Sequence, residues 1–322
     1  MQKRIVVLGG VGLVGTHLCR RLLEEGVELY CVDTREAAAS PLLRNMDKFD
    51  NFHYIHHNIV SPFNISCDEI YNLAAPALLR YNRSLPVETM KIHIEGSINA
   101  LEVARVEFAR IVYASSANVY SPLRRDIYTD NHSEASELLA SIEGKRAAEA
   151  LYQAYKTEYD VDARIARIFN AYGTGADLDD QRVVMKMVVA ALQNHEITIF
   201  GSGEQIRTFC WVGDLVDGLI RLMRRATMES LRPVDLGTDR EISIRALAEK
   251  IIQLTGSHST IKHIEARHND PRNRIPDLSV AHQDLDWSPQ TTLTEGLQRT
   301  IDYAEKELSG HTFAARSWVE VN

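Results

Sequence analysis

No run of 18 apolar residues occurs anywhere in the 322-residue chain, so no membrane span is expected. Positive charge is not concentrated either. Lys and Arg number 36 against 44 Asp and Glu, a formal net charge of −8, and no basic cluster interrupts that balance. Nucleic acid and anionic membrane surfaces are therefore not expected as partners. Cysteine is scarce. Cys19, Cys31, Cys67 and Cys210 are scattered and form no C-x-x-C pair, the usage of a reducing compartment. Internal repeats and low-complexity segments are absent, so no solenoid or repeat array is expected. The N-terminus enters an apolar strand at once, leaving no room for a signal peptide, and a cytoplasmic location is the expectation. The sequons at Asn64, Asn82 and Asn131 have no use there. With 45% hydrophobic and 25% charged residues, the chain suits one large globular domain or two moderate ones.

What is present begins at Ile5. Ile5-Val-Val-Leu8 reads as a buried parallel strand, glycines follow at once, and His17–Leu23 has helical spacing. A strand feeding a helix through glycines is the physical basis of dinucleotide binding. Glycine permits the tight turn and lets backbone approach a pyrophosphate, while the first helical N–H groups, those of Leu13 and Val14, face its charge. Two spacings fit: Gly9, Gly12, Gly15 (G-x-x-G-x-x-G) and Gly10, Gly12, Gly15 (G-x-G-x-x-G). A second strand, Glu28–Asp33, ends in a carboxylate 18 residues after Gly15, where a ribose diol would be held.

A third strand spans 52–59. Its histidines, His53, His56 and His57, read as solvated or core residues rather than metal ligands, because neighbours on a strand point to opposite faces and no partner sits at ligand spacing. Asn58 and Ile59 at its end would border an adenine. A fourth strand, 68–76, ends in the small turn Leu73-Ala74-Ala75, suited to close packing on a cofactor. Residues 85–107 predict a long helix with Met90, Ile94, Ile98 and Leu101 on one stripe. Strand 110–116 ends at Ser116, where open α/β sheets keep their chemistry, although a plain serine turn is an equal reading. After a polar loop, 121–136, a helix over about 137–158 places Ser141 and Lys145 on one face. Strand 160–169 follows. This alternation predicts a doubly wound parallel α/β sheet.

From Thr174 the rhythm changes to an acidic loop at 177–181, helix 183–193 and strand 197–200. Helix 215–225 and a returning sheet strand at 233–237 follow, then helix 243–255, an irregular stretch at 260–281 and a terminal helix at 293–308. The expected division is a dinucleotide-binding domain, 1–173 with about 206–239, and a smaller cap, about 174–205 with 240–322.

At this level of detail the chain resembles the extended short-chain dehydrogenase/reductases that act on nucleotide sugars, and among them the UDP-glucuronate decarboxylases (UDP-xylose synthases). The resemblance runs from Ile5 to about Thr300. It rests on the Gly9/Gly12/Gly15 turn, Asp68-Glu-Ile-Tyr-Asn-Leu-Ala-Ala-Pro-Ala77, Arg167-Ile-Phe-Asn-Ala-Tyr-Gly173, Arg182-Val-Val184, Phe200-Gly-Ser-Gly-Glu-Gln-Ile-Arg207 and Asp270-Pro-Arg-Asn-Arg-Ile-Pro-Asp277. It implies NAD held by Gly9, Gly12, Leu13, Val14, Asp33, Asn58, Ile59, Leu73, Ala74, Ala75 and Lys145. It further implies a UDP-sugar contacted by Lys91, Asn118, Asn170, Arg182, Val183, Phe200, Arg207 and Arg274. Arginines supply the bidentate donors a pyrophosphate needs, though each could equally serve a surface ion pair, and Lys91 a solvated helix face. The family's chemistry is a transient oxidation at the sugar C4. A tyrosine four residues before a lysine takes the hydroxyl proton, and a Ser or Thr assists.

Lys145 and Ser116 match that pattern, but the tyrosine position holds Ser141. An aliphatic hydroxyl is several units harder to ionise than a phenol near pKa 10. Asn118 stands where the decarboxylases carry glutamate, and His93 replaces the asparagine of an Asn-x-x-Gly element. His93, Tyr120 and Tyr128 are candidate replacement bases, with His93 more simply read as a packing substitution. Three readings result: a decarboxylase-like enzyme with an atypical centre, a UDP-sugar 4-epimerase or dehydratase, and a non-catalytic binder of NAD and nucleotide sugar. No metal is expected. Apolar stripes on helices 85–107 and 137–158 suit either internal packing or the four-helix interface of a homodimer, which the family commonly builds.

Overall fold

In a computed structural model the chain is described over residues 2–44, 46–76, 85–121, 133–226, 231–266 and 275–310, with the side chains of 39, 47 and 133–137 left out. The strands in chain order are β1 (Arg4–Leu8), β2 (Glu28–Asp33), β3 (Phe52–His56), β4 (Glu69–Asn72), β5 (Arg110–Ser116), β6 (Ala163–Ile168), β7 (Ala171–Tyr172), β8 (Ile197–Phe200), β9 (Ile206–Thr208), β10 (Cys210–Trp211), β11 (Val234–Leu236), β12 (Glu241–Ser243) and β13 (Ile261–Ile264). The α-helices are α1 (Leu13–Glu24), α2 (Pro86–Glu107), α3 (Ser133–Tyr159), α4 (Val183–Leu192), α5 (Val212–Arg224), α6 (Ile244–Thr255), α7 (Ser279–Leu285) and α8 (Leu293–Gly310).

Seven strands form one sheet in the order β11-β6-β5-β4-β1-β2-β3, and every pairing in it is parallel. This is the expected doubly wound architecture. A parallel sheet is buried on both faces, so its strands read as apolar runs. β1 shows how the two faces are filled. Ile5 and Val7 join a core with Leu18 and Leu22 of α1 and Leu215 and Leu219 of α5. Val6 and Leu8 join another with Leu101 and Ala104 of α2 and Ala148 and Tyr152 of α3. A third cluster joins Val184 and Val188 of α4, Ile197 and Ile199 of β8, Leu247 and Ile251 of α6, and Leu297 and Ile301 of α8. Strand order reverses between β1 and β4, so the crevice above their C-terminal ends is the switch point where such folds bind ligands.

Two expectations need correction. The stretch 260–281 is not irregular throughout. Ile261–Ile264 pairs in parallel with β8, from Ile261 opposite Ile197 to Ile264 opposite Phe200, and α7 starts at Ser279. Short apolar residues among charges carry little periodicity, and pairing with β8 supplies what the local pattern lacks. The third strand stops at His56, leaving Asn58 and Ile59 in the turn after it. On α2 the buried residues are Thr89, His93, Gly96, Ser97, Ala100, Leu101, Val103 and Ala104, so of the apolar stripe only Leu101 is fully buried within the chain. Close packing on α3 explains it: a Cβ on Gly144 of α3 would lie 3.0 Å from the His93 ring. Small residues let the helix axes approach, and the bulkier Met90, Ile94 and Ile98 are left half-buried. Among the described residues no helix is long and apolar enough to cross a membrane.

Candidate active site

The glycine turn lies at the switch point. Gly9 has φ +78°, and a Cβ there would sit 2.8 Å from the backbone of Ala74 just after β4. Gly15 is equally constrained, since a Cβ would fall 2.3 Å from the Gly9 carbonyl. Gly10 serves packing instead, because its missing side chain makes room for the Cys31 and Cys19 thiols below. Both glycine spacings are thus used, with Gly9, Gly12 and Gly15 building the turn. Gly12 caps α1 with no side-chain bond, and the first turn carries no acidic residue. The N–H groups of Leu13 and Val14 have no acceptor within the helix, which suits an anion.

Asp33 ends β2 beside this turn. Its Oδ2 accepts from Val11 N at 2.9 Å and its Oδ1 from Arg35 N at 2.9 Å. On the next turn Asn58 Oδ1 accepts from Val60 N at 3.1 Å. Ile59 is 5% exposed and packs on Gly96 of α2, so only its backbone is placed to meet a cofactor. Leu73 and Ala74 are half-buried and Ala75 is exposed. A side-chain-free cradle, an uncapped helix start and a carboxylate at the end of β2 together fit a dinucleotide: Gly9–Val14 for its pyrophosphate and Asp33 for its ribose. The histidines of β3 and the turn after it are engaged elsewhere. His53 meets Glu28 and stacks on Tyr30, His56 faces Glu36, and His57 bonds the Ser61 carbonyl.

At the C-terminal end of β5, Ser116 Oγ accepts from Asn118 N at 3.2 Å and caps the short helix that follows. Ser141 and Lys145 lie on one face of α3, both buried. Lys145 Nζ donates to the Ala114 carbonyl at 2.9 Å and lies 5.4 Å from the Tyr113 ring centre. Burial pulls the ammonium down to about 8, against the opposing pull of the Glu149 carboxylate one turn on. His93 is 1% exposed, with Nδ1 3.4 Å from the Tyr113 hydroxyl and Nε2 without a partner among the described residues. Burial, followed by the nearby Lys145 charge, lowers it to about 3. His93 is therefore a neutral core residue near pH 7, consistent with the packing reading. Tyr120 is also occupied: its hydroxyl donates to Asp235 Oδ1 at 2.7 Å, and burial raises its pKa. Tyr128 lies outside the described residues.

The remaining positions differ in how far they are committed. Lys91 is exposed on α2, on the side away from His93. Asn170 Nδ2 donates to the Thr208 carbonyl at 2.8 Å. Arg182, ahead of Val183 at the start of α4, pairs through Nε with Asp180 at 2.7 Å. Phe200 is half-buried at the end of β8, and Arg207 Nη1 donates to the Ile206 carbonyl at 2.7 Å. Arg274 lies outside the described residues.

Sequence reading missed a network behind this site. Glu149 accepts from Ser115 Oγ at 2.5 Å and from Arg167 Nε at 3.0 Å and Nη2 at 2.6 Å. The Arg167 guanidinium lies 4.5 Å from the Tyr120 ring centre. The i, i+4 spacing of Lys145 and Glu149 was the available signal; the reach to Arg167 crosses from helix to sheet.

A doubly wound sheet with this cradle at its switch point defines a dinucleotide-dependent enzyme class. Residues 5–237 match the NAD dependent epimerase/dehydratase family, and the chain belongs to it. It is 37% identical over 317 residues to UDP-glucuronic acid decarboxylase 1 of Xenopus tropicalis, covering 95% of this chain and 73% of that one. UDP-glucuronic acid decarboxylase 3 of Arabidopsis thaliana is 36% identical, over 91% of this chain and 86% of that one. Two solved structures share the fold. UDP-glucose 4-epimerase of Thermotoga maritima with UDP-glucose superposes at TM-score 0.81 and 23% identity, covering 95% of this chain and 99% of that one. UDP-glucuronic acid 4-epimerase of Bacillus cereus with UDP-glucuronic acid and NAD does so at TM-score 0.80 and 20% identity, covering 94% and 99%.

Proposed function

We propose that this chain is an NAD-dependent enzyme of UDP-linked sugar acids, oxidising C4 transiently and releasing the sugar carboxylate as carbon dioxide. The observation that carries the reading is Lys145: a buried ammonium with its pKa near 8, one helical turn after Ser141 and facing the end of β5. The relatives at 36–37% identity, UDP-glucuronic acid decarboxylases by name, support the substrate.

NAD, when bound, supplies the hydride acceptor for C4 and later returns the hydride. Lys145 holds the nicotinamide ribose and lowers the cost of moving the C4 hydroxyl proton. Ser141, in place of a phenol, relays that proton to Lys145 in its neutral amine form, which a pKa near 8 leaves populated at neutral pH, and the ammonium so formed later gives it back. Ser116 orients the C4 oxygen. A ketone at C4 is β to the carboxylate, so the bond from C5 to that carboxylate breaks with its electrons drawn into an enolate, C5 takes a proton from water, and the returning hydride with the proton held at Lys145 restores the C4 alcohol. Asn170, Arg182, Val183, Phe200, Arg207 and Arg274 hold the nucleotide, Asn118 contacts the sugar, and Lys91 would have to reach the sugar carboxylate from the outer side of α2. The domain division belongs to this proposal: residues 174–205 and 240–322 form the cap over the sheet carrying NAD.

Incubation with UDP-glucuronate and NAD is expected to yield a product lighter by carbon dioxide, by mass spectrometry. A product of unchanged mass would mean epimerisation, loss of water a dehydratase. No turnover with UDP-glucuronate, UDP-glucose or dTDP-glucose, while NAD still binds, would overturn the reading. One observation favours a second reading, a non-catalytic binder: neither Ser141 nor Asn118 titrates near neutral pH.

We further propose a homodimer through α2 and α3, in the cytoplasm. Met90, Ile94 and Ile98 form a half-buried stripe on α2, and beyond its end Phe108 is 95% exposed beside the exposed Val106. Light scattering should give twice the 36.3 kDa chain mass, and a monomer at micromolar concentration would overturn this. The four cysteines, all free and buried, support the reducing location.

A further inference from the structure

Two residues beyond Asp33 stands Arg35, where a guanidinium in this fold would meet a dinucleotide's 2′-phosphate. Its position beside Asp33 is fixed by one shared neighbour. Val11 gives its N–H to Asp33 Oδ2 at 2.9 Å, while the Val11 carbonyl lies 3.4 Å from Arg35 Nη1. Tyr54 holds the Arg35 backbone by donating its hydroxyl to the Arg35 carbonyl at 2.7 Å. The guanidinium is not left to a ligand. Its Nη2 meets Asp177 at 3.1 and 3.4 Å, and both side chains of the pair are about three-quarters buried.

Asp177 comes from the acidic loop between β7 and α4, far along the chain. That loop is pinned at two points just ahead of Asp177. His17 of α1 bonds the Thr174 carbonyl at 2.8 Å, and the Tyr303 hydroxyl of α8 donates to the Ala176 carbonyl at 3.3 Å. Asp177 is thus delivered to Arg35 by a braced segment.

We infer that Asp177 is a cofactor-specificity residue: by pairing with Arg35 it withholds the cation beside Asp33 that would recognise a 2′-phosphate, so that the chain takes NAD and refuses NADP. Asp33 supplies half of the discrimination, by accepting from a ribose hydroxyl and repelling a phosphate. Asp177 supplies the other half. Arg35 in turn keeps Asp177 from adding a bare negative charge next to the ribose.

The test is binding, read by calorimetry with NAD and NADP on the purified full chain. Asp177→Asn is expected to tighten NADP by on the order of tenfold, the strength of one charge-assisted hydrogen bond regained, and to change NAD by less than about threefold. The gain should fade at high salt, because it is electrostatic. Asp177→Asn combined with Arg35→Gln should lose it, while Arg35→Gln alone leaves the NADP/NAD ratio at the wild-type value. NAD affinity reports that each variant is folded. An unchanged NADP/NAD ratio in Asp177→Asn, with NAD still bound, would overturn the inference. So would a gain that survives Arg35→Gln.

Discussion

Replacing Ser141 by tyrosine and Asn118 by glutamate is expected to raise turnover of UDP-glucuronate about 100- to 10,000-fold, the contribution of a positioned general base. The reason is acidity. A phenol beside the Lys145 ammonium ionises at accessible cost, whereas a serine hydroxyl does not. The change acts at the proton-transfer step and touches no residue of the glycine cradle, so NAD affinity should be unchanged and serves as the control for folding. Ser141→Tyr alone should carry most of the gain if proton removal from C4 limits the rate. Asn118→Glu alone should carry it if protonation after loss of the carboxylate limits. A gain from a measurable wild-type rate identifies an enzyme working with a poor base. A gain from no detectable rate identifies a binder whose chemistry is absent. No gain with NAD bound would mean that the space around Ser141 does not place a phenol over the sugar, and the assignment of this centre would fall.

The second large effect concerns acid stability. His93 is held near 3 in the folded chain against 6.5 when unfolded. Below pH 6.5 the unfolded chain binds a proton that the folded chain refuses, so stability falls by about 1.4 kcal/mol per pH unit until the folded value is reached. His17 is lowered too, by burial, and acts in the same direction. His93→Asn removes one titrating group while keeping a polar side chain. Urea midpoints of wild type and variant, compared at about pH 7 and about pH 5, should diverge in slope with pH, the variant losing less. Parallel curves would show that His93 does not titrate with folding.

The sequence is a good guide wherever one segment contains its own reason. The strand, glycines and helix of 5–24 are local. It is a poor guide wherever the reason lies elsewhere in the chain. β13 exists because β8 is there to pair with, and no periodicity within Ile-Lys-His-Ile announces it. The apolar stripe of α2 does not say which side packs on α3, because the contact of His93 with Gly144 selects small residues there. The Ser115–Glu149–Arg167 links and the Arg35–Asp177 pair join positions 18 to 142 residues apart, so no window of sequence contains both partners. Lys145 and Ser116 stand out in the sequence only through the family resemblance, and the proposed role of Ser141 rests on that same resemblance.

The place of β1 in the sheet has a consequence for how the chain is made. β1 lies between β2 and β4, with Ile5 opposite Leu29 on one side and Glu69 on the other. On a ribosome, β1, α1 and β2 emerge early and can associate, but the strand's other flank waits until residue 69 and its followers leave the tunnel. Until then a row of unpaired amides and carbonyls on an Ile-Val-Val-Leu strand is open to any neighbouring nascent chain. The strand that later carries the cofactor turn is, during synthesis, an open edge that a chaperone can shelter.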